Sequence, residues 1–199
     1  MRETKKAILE LEDGTVFEGK SFGFEKACSG EVVFNTAMTG YPESLTDPSY
    51  EGQVLVTTFP LIGNYGVPPK EEQDGVARYF ESSRIHCEAI VCQDYSWEYS
   101  HWLAEESLSD WLKREQVVGV YGIDTRALTK LLREKGSMLG RIFIEGAEKP
   151  EFYDPNKENL VAKVSCKEVE TYGDGDKTCL LYTSPSPRDR SVSRMPCSA

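Results

Sequence analysis

No stretch of the chain approaches the ~20 consecutive apolar residues that a membrane span requires. No charged start followed by an apolar core marks a secretory leader. The expectation is a protein that neither crosses nor enters a membrane and works in the cytoplasm. Net positive charge is missing as well: 33 Asp and Glu outnumber 23 Lys and Arg, for a net charge of −10. Phosphate contacts need Lys and Arg gathered on one face, so neither nucleic acid nor an anionic membrane is expected as a partner. The six cysteines, Cys28, Cys87, Cys92, Cys166, Cys179 and Cys197, lack the paired spacing of a disulfide scaffold, which fits a reducing compartment. No internal repeat is present.

What remains is an ordinary globular composition, 39% hydrophobic and 28% charged. A folded segment of ~150 residues buries about 70% of its unfolded surface, enough for a core. The densest information lies in Gly30–Pro68, GEVVFNTAMTGYPESLTDPSYEGQVLVTTFPLIGNYGVP. Glu31–Thr36 is β-branched and aromatic and predicts a strand, and Gln53–Thr58 predicts a second. Both carry apolar residues on both faces, which places them near the middle of a sheet. Between them Thr39-Gly40-Tyr41-Pro42 breaks the chain and Glu43–Tyr50 reads as an acidic turn. Pro fixes φ there, Gly permits positive φ, and Asp, Ser and Thr bond nearby backbone.

On either side, Ala7–Leu11 and Thr15–Glu18 flank Glu12-Asp13-Gly14 as a hairpin. Gly19 to Gly30 reads as a loop. Val76–Glu81 is expected as a short helix, Ile85–Cys92 as a strand and Tyr95–Trp102 as irregular. Ser107 or Ser109 caps a helix to about Arg114. After a short buried strand, Val117–Tyr121, Asp124 caps a helix with an apolar stripe of Ala127, Leu128, Leu131 and Leu132, and Gly136 stops it. Met138–Ile144 is a last strand. Asp154-Pro155 starts a final helix to about Lys163.

The Gly30–Pro68 run resembles the N-terminal domain of the small subunit of glutamine-dependent carbamoyl-phosphate synthetase. The likeness extends, more loosely, from Ile8 (ILELEDGTVFEGKSFG) through Gly122-Ile123-Asp124-Thr125-Arg126-Ala127-Leu128-Thr129 to Arg133-Glu134-Lys135-Gly136. It implies an α/β class with a three-layer β/β/α fold over residues 1–150. It also implies that the helix and linker at 151–177 lead toward an amidotransferase domain, with 178–183 as its possible first strand. The composition and abrupt break at 184–199 read as a non-native tail, a natural disordered tail being the alternative. That tail (SPSPRDRSVSRMPCSA) carries +2, leaving −12 for residues 1–183, and has too little apolar surface to fold. In the family the complete small subunit releases ammonia from glutamine, and a large subunit combines it with bicarbonate and two ATP to give carbamoyl phosphate for arginine and pyrimidine synthesis. The implied partners are that large subunit and glutamine. No cofactor is expected in this chain, since ATP and Mg belong to the large subunit.

Glutamine amidotransfer needs a thiolate on a tight elbow, a His base and an acid that orients it. The family's Gly-x-Cys-x-Gly elbow is not found around any of the six cysteines, so the piece on its own is expected to be inactive, with no catalytic residue. His86-Cys87-Glu88 contains His-x-Glu but reads as two residues on one strand face. One family contact carries over: Ser49, from the Asp47-Pro48-Ser49 turn, is expected to help orient glutamine. Without the resemblance the same residue reads only as closing its turn. Gly63-Asn64-Tyr65-Gly66 is a neighbouring wall, an interface or a plain tight turn. A zinc site from His86, Cys87, Cys92 and His101 is disfavoured against buried small hydrophobes. Gly173-Asp174-Gly175-Asp176-Lys177-Thr178 lacks phosphate-loop spacing and reads as linker. Arg126, Lys130 and Arg133 form a basic helix face, solvated or used for docking. The competing reading of the whole is a non-catalytic docking or inhibitory module.

Overall fold

The computed structural model describes residues 4–73 and 75–169. The expected linker from 171, the strand at 178–183 and the tail at 184–199 lie outside the described residues.

The chain begins with a hairpin, β1 (Lys6–Leu11) and β2 (Val16–Ser21). Its turn works because Gly14 takes φ +84° and Asp13 accepts the Thr15 amide at 2.9 Å. β2 runs three residues past the expected Glu18, and β3 (Cys28–Asn35) starts two before Gly30, so the loop read at 19–30 shrinks to residues 22–27. The acidic turn is a correction: Tyr41–Thr46 is a helix, α1, and Pro48–Tyr50 a 3-10 turn. β4 (Gln53–Thr57) follows, then the two-residue strands β5 (Leu61–Ile62), β6 (Glu72–Gln73) and β7 (Val76–Ala77). Val76 thus pairs in a ribbon instead of opening the expected helix.

The strand expected over Ile85–Cys92 contracts to β8 (Ala89–Val91), leaving His86 and Cys87 in its lead-in. A two-residue β9 (Asp94–Tyr95) sits at the start of the segment read as irregular. Ser107, not Ser109, caps α2 (Leu108–Arg114), accepting the Asp110 amide, while Ser109 is buried and donates to the Phe22 carbonyl at 2.5 Å. β10 (Val118–Tyr121) leads to α3 (Thr125–Lys135), capped by Asp124 and stopped at Gly136, as expected. Only Leu128 and Leu132 of its stripe are fully buried; Ala127 is exposed. β11 (Met138–Ile144) follows. The single helix expected from Asp154 splits into a 3-10 turn, Pro155–Lys157, and α4 (Leu160–Val164), the latter capped by Asn159.

Seven strands close into a barrel in the order β1-β11-β3-β4-β8-β10-β2. β3, β4, β8 and β10 run parallel to one another; β1, β2 and β11 add antiparallel pairs. The class is mixed α/β. Alternation along the strands gives two cores. Leu9, Leu11, Val32, Val54, Val56, Val91, Val118, Val120 and Ile142 fill the interior with Leu128 and Leu132 of α3. Leu55 and Ile90 point outward, into a second core with Leu45 of α1 and Leu108, Trp111 and Leu112 of α2. β4 is therefore buried on both faces, which is why its sequence is continuously apolar instead of alternating. Each such side chain removed from water contributes about 1.5–3 kcal/mol.

Candidate functional site

The turn between α1 and β4 carries Ser49. Asp47 starts it: its side chain accepts the Ser49 amide at 2.8 Å and its carbonyl accepts the Tyr50 amide at 3.1 Å. Pro48 supplies the first residue, where the missing N–H costs nothing. The Glu51 amide then donates to the Pro48 carbonyl at 3.2 Å, and Tyr50 Oη accepts from Asn35 Nδ2 at 3.2 Å. Gly52, at φ +74°, turns the chain into β4 beneath Pro155, where a Cβ would come within 2.9 Å of the proline ring. Ser49 itself is exposed at the top of this braced turn. Asp47 and Pro48 act as its scaffold, as the turn chemistry predicts.

Two residues on, Glu51 is only 5% exposed. His86 Nδ1 lies 2.6 Å and Arg84 Nη2 2.9 Å from its Oε2, and Lys163 Nζ lies 3.2 Å from its Oε1. His86 Nε2 is 3.0 Å from Ser82 Oγ, which donates to the Thr46 carbonyl at 2.6 Å. Burial alone would push the Glu51 carboxyl up; hydrogen bonds from His86 and Lys163 and the charge of Arg84 outweigh it and hold the group below the usual carboxylate range. Lys163 is held up mainly by its hydrogen bond to Glu51. The cluster forms part of the wall of a cleft of about 680 Å³ whose lining includes Pro48, Ser82, Arg84, His86 and Lys163. Nothing in the sequence pairs these residues: each is ordinary in its own neighbourhood, and the contacts join segments far apart in the chain.

The remaining candidates fall elsewhere. Gly63–Gly66 is a tight turn, closed by the Gly66 amide on the Gly63 carbonyl at 3.2 Å. Within it Tyr65 stacks on Tyr41 with centroids 4.2 Å apart, and its hydroxyl accepts the Gly40 and Tyr41 amides at 2.7 and 3.0 Å. That hydroxyl caps α1, whose N-cap residue is glycine and offers no side chain. The four imagined zinc ligands are not brought together. His86 is committed to Glu51 and Ser82, Cys87 and Cys92 are buried, and His101 stacks on Trp102. Burial pushes the Cys28 thiol up to about 12 and raises those of Cys87 and Cys92 further, so none of the three is a thiolate nucleophile. Arg126, Lys130 and Arg133 lie on the exposed face of α3. No helix among the described residues is long and apolar enough to cross a membrane.

The family model for the carbamoyl-phosphate synthase small chain, CPSase domain, matches residues 9–142. The chain is 56% identical over 173 residues to the multifunctional protein pyr1-3 of Dictyostelium discoideum, covering 84% of this chain and 8% of that protein. It is 54% identical over 168 residues to the carbamoyl phosphate synthase arginine-specific small chain of Eremothecium gossypii, covering 83% of this chain and 42% of that protein. To the mitochondrial carbamoyl-phosphate synthase (ammonia) of Homo sapiens it is 50% identical over 174 residues, covering 86% of this chain and 12% of that one. The class is thus a mixed α/β domain shared between free-standing small chains and larger multifunctional proteins. The chain belongs to the carbamoyl-phosphate synthase small-chain family. It spans less than half the length of each of these three relatives.

Proposed function

We propose that this domain belongs to the glutamine-hydrolysing small subunit of a carbamoyl-phosphate synthase. The whole enzyme makes carbamoyl phosphate from glutamine, bicarbonate and two ATP, for arginine and pyrimidine synthesis. In this reading residues 1–150 are the body of the domain and 151–177 lead toward an amidotransferase domain that carries the chemistry. The body docks a large subunit, which holds ATP and Mg. The barrel's two strand walls, with α1 and α2 laid on the outer face, then correspond to the family's β/β/α layers. The buried, free thiols of Cys28, Cys87 and Cys92 fit a reducing cytoplasm and give this domain no nucleophile of its own.

The role assigned to this piece is to border the glutamine site through Ser49. One observation carries it: the Ser49 hydroxyl stands exposed on a turn whose flanking polar groups are engaged in bracing it. A preorganised hydroxyl can bond the α-carboxylate or α-amino group of an amino acid and orient it without taking part in proton transfer. In the full-length protein, Ser49→Ala should raise KM for glutamine by about tenfold, the value of one hydrogen bond of ~1.4 kcal/mol, and leave synthesis from ammonia as it was. An unchanged glutamine KM would return Ser49 to the role of a turn residue.

A further inference from the structure

We propose that Glu51 is the positioning residue for Ser49, held in place by Arg84, His86 and Lys163. The proposal rests on Ser49 being a glutamine contact, as argued above.

His86 is engaged on both sides of its ring. Nε2 lies 3.0 Å from Ser82 Oγ, which also faces the carbonyl oxygens of Thr46 at 2.6 Å and Arg84 at 3.0 Å. On the other side, Nδ1 lies 2.6 Å from the Glu51 carboxylate. A serine, a histidine and an acid in line would elsewhere activate a nucleophile. Here the serine hydroxyl is bonded to the Thr46 carbonyl at 2.6 Å and lies half-buried against the turn. The chain of contacts is a clamp.

What it clamps is the Ser49 turn. Glu51 closes that turn with its amide while its carboxylate gathers nitrogen partners from two other segments, Arg84 and His86 before β8 and Lys163 on α4. A buried carboxylate held by Arg84, Lys163 and a histidine ring is fixed more tightly than one in water, and losing one partner disturbs the rest. Pro155 presses on Gly52 from the same C-terminal segment as Lys163. A shift of α4 or of the 82–86 loop therefore reaches Ser49 through two residues of rigid turn.

The test uses Lys163→Met, Lys163→Arg and Glu51→Gln in the full-length protein, with Ser49→Ala beside them. Lys163 is well exposed, with 44% of its side chain open to solvent, so its replacement leaves the fold intact even if Glu51→Gln does not fold. The expected result is a glutamine KM raised by about threefold to tenfold in Lys163→Met and at least as far in Glu51→Gln. Lys163→Arg should restore it, and kcat with ammonia should stay level. If Ser49→Ala raises KM and the Lys163→Met and Glu51→Gln variants do not, the positioning role is overturned and the Ser49 contact stands. If Ser49→Ala has no effect, the contact itself falls and takes this proposal with it.

Discussion

Gly30 of β3 lies flat against Gly52 at the entry to β4: a Cβ built on Gly30 would stand 2.3 Å from the Gly52 carbonyl oxygen. Neither backbone can give way, because Gly30 pairs with Gly140 of β11 and Gly52 sits under Pro155. Gly30→Ala should cost about 3 kcal/mol or more, as an overpacked contact with backbone does. Gly14 makes the comparison: nothing lies within 4 Å of its Cβ position and only its φ of +84° is special. Gly14→Ala should cost ~1–2 kcal/mol. Urea unfolding of the two variants side by side would separate steric from conformational need; equal losses would refute the contact argument.

The α1 cap supplied by Tyr65 gives a second expectation. Tyr65→Phe keeps the ring stacked on Tyr41 but leaves the Gly40 and Tyr41 amides without their acceptor. A loss of about 1–3 kcal/mol is expected, together with faster hydrogen exchange at these two amides. Unchanged exchange would mean the hydroxyl is not the cap.

The outer core should be as sensitive as the barrel interior. Leu55 on the outside of β4 is 1% exposed and Val54 on its inside is fully buried. Leu55→Ala is expected to lose about 2–5 kcal/mol, measured by chemical denaturation. A loss below 1 kcal/mol would show that the α1 and α2 layer yields and fills the gap.

The hairpin turn has a pH signature. Asp13 accepts from Lys135 Nζ at 2.7 Å and from the Thr15 amide at 2.9 Å, and these bonds, Lys135 first, lower its carboxyl from 3.8 to about 2. A depressed folded value means stability that is fully present above the unfolded value and lost as pH falls through the folded one. The stability difference between the native chain and Asp13→Asn should therefore be constant above about pH 4 and fade toward pH 2. A difference that persisted at pH 2 would assign it to something other than charge.

The elements readable in the sequence are those whose signals are local. The 12–14 turn, the Ser107 and Asp124 caps and the Gly136 stop all lie within a few residues of what they control, and each is where the pattern puts it. α1 was opaque for the opposite reason. It starts from a glycine, carries Pro42 in its first turn, and takes its cap from Tyr65 across the fold. Val76–Glu81 looks helical on spacing alone, but Val76 pairs with Gln73. The Glu51 cluster has no sequence signature at all, since its charge and burial arise only when the lead-in to β8 and α4 meet the Ser49 turn. The reading of Ser49 as a ligand contact comes from family likeness and not from chemistry; residue by residue, its turn explains it without any ligand.

β11 is the staple of the barrel, pairing with β1 on one side and β3 on the other. It is also the last of the seven strands to be made. On a ribosome adding ~5–20 residues per second, the edges of β1 and β3 wait on the order of ten seconds before their partner emerges. Until then the nascent chain presents two unpaired strand edges, each a template for another molecule's backbone. Products that stop short of residue 144 should collect in insoluble aggregates, and those that include β11 should not.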